Sequence, residues 1–173
     1  MRYFRIYADD QNPQPGFLDW YTQMRAGMSG SRMYEELSGQ NHFQVRLNVE
    51  IPFMDLVCSP CFMVSKEFAA LIRLYSPEIR FKYATLFDMI NKRTAFYQIP
   101  KLPEIDCLDQ KSELSRDKSE IITGILSAKK IQMCPIFRFG GIKGQYIVAD
   151  LRFVESAYRR EVVGMRIEEF MVE

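Results

Sequence analysis

Residues 43–51 alternate without a break. Phe43, Val45, Leu47, Val49 and Ile51 are separated by Gln44, Arg46, Asn48 and Glu50. A period of two puts all five apolar side chains on one face, so His42–Ile51 reads as a strand with one wet side. A sheet wet on one side is antiparallel or mixed, because parallel sheets are covered on both faces. Shorter strand-like stretches are Tyr3–Tyr7, Arg80–Thr85, Phe96–Ile99, Ile121–Leu126, Lys129–Met133, Pro135–Phe139 and Tyr146–Ala149. Gly140–Gly144 between the last two reads as a hairpin turn. Breakers collect at Asp9–Gly16 and at Pro100 and Pro103, and the polar run Gln110–Ser119 reads as a surface excursion. In Phe17–Leu37 the residues Phe17, Trp20, Tyr21, Met24 and Met28 have near-helical spacing, but Gly27 and Gly30 weaken it. That segment reads as irregular, with one short helix.

One longer pattern occurs twice. Cys61–Tyr83 and Gln145–Phe170 each read as a short apolar strand, a capping residue, a short helix and a second strand. The caps are Ser65 and Asp150, whose side-chain oxygens can accept from the free N–H groups of a first helical turn. Phe68 and Phe153 follow their caps by three residues and begin the buried stripe. The first helix should stop near Tyr75, because Pro77 disfavours the helical region for Ser76. The fold class that follows is α+β: a mostly antiparallel or mixed sheet with two short helices from a duplicated strand–helix–strand unit. The two copies are expected at related positions on one sheet.

Length keeps this to one domain. At 173 residues the chain can bury roughly 70% of its unfolded surface, enough for a core without metal or disulfide. The single domain 1–173 divides into N-terminal strands and an irregular segment (1–54) and the duplicated region (55–173). Charge excludes one class of partner. With 23 basic and 22 acidic residues, and no basic run longer than Lys129-Lys130 or Arg159-Arg160, the concentrated stripe that nucleic-acid binding needs is missing. The first strand is charged instead of apolar, and no apolar run approaches the ~20 residues of a membrane span. The expectation is a cytoplasmic protein, off the membrane, whose four cysteines are reduced thiols.

Candidate chemistry is sparse. Cys58-Ser-Pro-Cys61 is a CxxC, but a zinc site needs two more ligands, and Cys107, Cys134 and His42 form no second close pair. Cys61 leads into an apolar strand instead of opening a helix that would activate it. His42, the one histidine, would have to serve any general acid–base or triad chemistry, and it sits at the entry of an amphipathic strand. Gly140-Gly-Ile-Lys-Gly144 lacks phosphate-loop spacing. Glu168 and Glu169 are strand neighbours and point to opposite faces. The reading is no enzyme, no catalytic residue, no metal and no cofactor. Phe17, Trp20, Tyr21, Arg25, Arg32 and Tyr34 form the candidate partner-binding cluster, since Trp, Tyr and Arg dominate interface hot spots. The alternative for Trp20 is that it closes the core.

The C-terminal motifs Ile136-Phe-Arg-Phe139, a glycine turn, Tyr146-Ile-Val148, a short helix and Val163-Gly-Met-Arg-Ile-Glu-Glu-Phe170 resemble the end of a large bacterial family of uncharacterised domains. Its members are often grouped with immunity proteins of polymorphic-toxin systems. Arg2–Tyr7, Asp55 with Phe62–Phe68, and Cys107–Ser112 are similar too, so the resemblance covers roughly residues 55–173 plus the first strand. It implies a small cytoplasmic protein that binds and silences a cognate toxin by occlusion. It carries over no functional residues, and Phe17–Gln40 has no counterpart in it. The alternative function is a structural or regulatory interaction module, with homo-oligomer formation in place of a toxin partner.

Overall fold

The computed structural model describes residues 1–11, 14–24, 30–47 and 53–173, without the side chain of Tyr21. It is α+β, with two six-stranded mixed sheets facing each other across a pair of helices. The helices are α3 (Lys66–Tyr75) and α5 (Leu151–Arg159), and both start as their caps dictate. Ser65 Oγ accepts the Phe68 N–H at 3.2 Å, and Asp150 Oδ1 accepts that of Phe153 at 2.9 Å. The chain after α3 leaves the helix at Ser76, immediately before Pro77.

Sheet two holds, in spatial order, β2 (Gly16–Phe17), β3 (Gln40–Arg46), β6 (Phe81–Asp88), β7 (Arg93–Pro100), β5 (Met63–Val64) and β4 (Leu56–Val57). Sheet one holds β11 (Ile125–Leu126), β14 (Met165–Val172), β1 (Tyr3–Ala8), β13 (Ile147–Asp150), β12 (Ile136–Phe139) and β8 (Glu104–Ile105). A small ladder pairs β9 (Glu113–Leu114) with β10 (Ile121–Thr123) in the polar excursion. Short helices α1 (Trp20–Gln23), α2 (Gly30–Glu36) and α4 (Ala128–Ile131) lie in the connections.

The duplicated units therefore occupy related positions, but on two facing sheets instead of the one sheet expected from sequence. In the first unit, β5 and β6 flank β7 and both run antiparallel to it. In the second, β13 and β14 flank β1 in the same way. The likeness extends outward. β4 is antiparallel to β5 as β12 is to β13. β3 is parallel to β6 as β11 is to β14. Each unit needs a third, antiparallel strand between its own two. The first takes β7 from the hairpin that follows; the second takes β1 from the other end of the chain. That is why neither copy can complete a sheet alone.

Alternation along the strands sorts residues into three cores. The central one joins both sheets and both helices: Phe4, Ile6, Val64, Phe68, Ile72, Ile136, Ile147 and Phe153 are all within it. Phe68 and Phe153 meet there with ring centroids 5.7 Å apart. The outer face of sheet two is covered by the segment carrying α1 and α2, and that of sheet one by the segment between β8 and β12. Lys129–Met133, read from sequence as a strand, contains the end of helix α4 instead. A single anchor, Ile131, is buried while Ala128, Lys129 and Lys130 stay wet, and one helical turn satisfies that better than a strand. Gln132 and Met133, at positive φ, turn the chain out of it. The strand read as His42–Ile51 is described as Gln40–Arg46, its last residues lying outside the described ones.

Candidate protein-binding face

The inward face of sheet two is wider than the helix that covers it. α3 packs on β5 and on the end of β7, where Arg73 stacks 4.0 Å over Phe81 and donates to Gln98. Beyond that helix the face is open. Its register brings together Gln40, Tyr83 and Gln98 in one row, His42, Thr85 and Phe96 in the next, and Gln44, Phe87 and Thr94 in a third. Phe96 stands in the middle with Tyr83 and Phe87 as its diagonal neighbours, a spacing aromatic side chains can bridge. Phe96 is 75% exposed and Tyr83 52%. The β6–β7 turn at one end adds Met89 and Ile90, also exposed. A cluster this apolar on a wet surface is normally a contact site.

The turn is tied together by one carboxylate. The Asp88 carboxylate accepts the N–H groups of Leu47 (2.9 Å), Ile90 (2.9 Å) and Asn91 (3.0 Å), and the Asn91 side chain at 2.7 Å. These donors, Asn91 foremost, hold its pKa down to about 2. Around the aromatics the residues of β3, β6 and β7 on this face are neutral or basic. Arg46 lies at one end and Arg73 at the other, with His42 between them, and these strands place no carboxylate on it.

The sequence-predicted cluster is placed differently. Trp20 is 7% exposed and packs on Phe43, with centroids 5.2 Å apart, and on Phe17 at 5.8 Å. Phe17 is half-buried in the same group. Tyr34 is buried, with Lys82 Nζ 4.6 Å and Lys101 Nζ 5.7 Å from its ring centre, and burial raises its pKa. Arg32 is exposed on α2. Arg25 and the side chain of Tyr21 lie outside the described residues. Trp20, Phe17 and Tyr34 thus brace the segment against sheet two instead of standing free. Tyr83 and Phe96 were not singled out from sequence. The available signal was that β6 is apolar at both parities: Phe81, Tyr83 and Phe87 against Ala84 and Leu86.

The other candidates stay apart. Cys61 is fully buried, and burial raises its thiol pKa; that of Cys58 is pushed up to about 12 for the same reason. Both thiols are therefore protonated at neutral pH, and Cys61, with no exposed surface, is shielded from reagents as well, whereas Cys58 is half-buried. His42 is exposed, and its register partner is Thr85. Glu168 faces Arg5 and Glu169 faces Arg2, on opposite sides of β14. Among the described residues no three His, Cys, Asp or Glu side chains gather as a metal-binding group. No described helix is long and apolar enough to cross a membrane. No family model matches the chain, and no curated protein sequence matches it significantly.

Proposed function

We propose that this is a non-enzymatic, immunity-type protein that binds a cognate toxin through the open face of sheet two and neutralises it by occlusion. The observation that carries the binding role is Phe96, a large aromatic 75% exposed at the centre of an aromatic group with a polar and basic rim. That is the layout of an interface core and rim. The immunity role rests on the C-terminal motifs. The rim's charge names the partner's chemistry: an apolar epitope bordered by Asp or Glu. The same charge disfavours the homo-oligomeric alternative, because a two-fold pairing would set Arg46 and Arg73 against a second basic face.

The test is co-expression of Phe96→Ala and Tyr83→Ala with the toxin candidate encoded beside this gene, with affinities measured on purified proteins. Each variant should weaken binding by about 2 kcal/mol, roughly thirtyfold, and leave the melting temperature unchanged. Full protection and unchanged affinity in both variants would remove this face from the interface. Self-association at micromolar concentration, abolished by Phe96→Ala, would favour the homo-oligomer instead.

A further inference from the structure

Arg138 is a buried cation whose only described ion-pair contact is a long one. It lies on the inner face of sheet one, opposite Ile147 on β13 and Glu104 on β8, and its side chain is only 8% exposed. A buried guanidinium is costly unless its N–H groups find acceptors. Here Glu104 approaches Nε at 3.9 Å, beyond hydrogen-bond length, and no acidic oxygen of the described residues is nearer. The Glu104 carboxylate is itself committed to the Ser31 N–H at 2.8 Å. Desolvation accordingly lowers the Arg138 pKa. Arg138 also lines a cavity of about 30 Å³ at the seam between the sheets and α2. Its walls are apolar on one side, with Phe62, Ile99, Leu102 and Ile147, and carry Glu104, Gln145 and Lys101 on the other, Lys101 being paired with Glu35. Gly30 makes room for this: a Cβ there would lie 1.9 Å from Glu104 Oε1 and 3.2 Å from Arg138 Cζ.

We propose that this cavity is a carboxylate-binding site, in which the Nη edge of Arg138 takes both oxygens of one carboxylate. A planar two-oxygen acceptor matches the guanidinium fork, which a tetrahedral phosphate matches less well in so small a space. The free volume is about twice the ~15 Å³ that one water needs, so it admits a two-oxygen group and little more. The carboxylate belongs either to a small free acid or to a peptide C-terminus. The site is separate from the aromatic face of sheet two and does not depend on it.

The experiment is an amide-resolved NMR titration of the full chain with acetate, with a short apolar tripeptide, with its C-terminal amide, and with inorganic phosphate. Saturable shifts at Ser31, Leu102 and Arg138, with a Kd of about 1 mM, are expected for acetate or for the free-acid tripeptide. Acetate alone identifies a small acid, and the tripeptide but not its amide identifies a chain terminus. Arg138→Met should lose binding at least tenfold. Glu104→Gln keeps the acceptor for Ser31 but removes the neighbouring negative charge, and should tighten binding by about tenfold. Phosphate binding without carboxylate binding, or no saturable shift with any probe, overturns the proposal. So does unchanged affinity in Arg138→Met or, if that variant does not fold, in Glu104→Gln.

Discussion

Removing the Phe153 ring tests whether the two sheets melt as one body. Phe153 is fully buried on α5, beneath sheet one, and its ring touches those of Phe68 (5.7 Å between centroids) and Tyr75 (5.5 Å) on the opposite helix. Truncating a buried Phe to Ala costs about 3–5 kcal/mol. Losing two aromatic partners places this site at the upper end, about 5 kcal/mol. For a urea m-value of about 2 kcal/mol/M, the midpoint should fall by about 2.5 M. Trp20, the one tryptophan, sits in the outer core of sheet two, remote from the substitution. If the shared helix layer couples the sheets, Trp20 fluorescence and far-UV circular dichroism report the same lowered midpoint. A Trp20 transition that stays at its wild-type midpoint, while the dichroism splits into two steps, would refute that coupling.

Acid should act through Asp88. Its pKa is lowered from 3.8 to about 2, so its stabilising contribution is complete above the ordinary value and fades as pH falls from near 4 to about 2; Asp88→Asn should flatten that limb in urea melts recorded between pH 2 and 5. The two helix caps should differ: Ser65→Ala costs about 1 kcal/mol, whereas Asp150→Ala costs more, because Asp150 is fully buried and also pairs with Arg152 at 2.6 Å. Equal losses in urea melts would contradict this. In the native protein the fully buried Cys61 should react with a thiol reagent at neutral pH only at the rate of unfolding, and later than the half-buried Cys58; full reaction of Cys61 within the mixing time would show that the burial argument is wrong.

The parts legible in the sequence were those set by local chemistry. Ser65, Asp150 and Pro77 act within one turn of where they stand, so the starts of both helices and the end of the first could be read directly. The alternation of Phe43 and Val45 against Gln44 and Arg46 is equally local. What could not be read is which strand pairs with which. β7 and β1 fill equivalent slots in the two sheets, yet one is the next strand in the chain and the other is its beginning, and no periodicity encodes that choice. Exposure within the candidate cluster was illegible for a related reason. Trp20 has the composition of a hot spot, but Phe17 and Phe43 cover it. Tyr83 and Phe96 sit on ordinary strands, and only the limited reach of α3 leaves them uncovered. The Lys129–Met133 error came from counting apolar residues without asking how many could be buried at once.

The borrowed strand also sets a timetable for synthesis. Sheet two is built from residues 16–100 and can close while the chain is still being made. β1 has its partners, β13 and β14, only at 147–172. At about 5–20 residues per second, the ribosome takes roughly 7–30 s to deliver them. During that interval the segment carrying Tyr3, Phe4 and Ile6 lacks both strands it pairs with, and an unpaired apolar segment with strand pattern is one that sticks to other chains. Its basic residues, Arg2 and Arg5, later meet Glu169 and Glu168. Until then they are charges on an otherwise adhesive segment, and they keep a nascent chain apart from its neighbours.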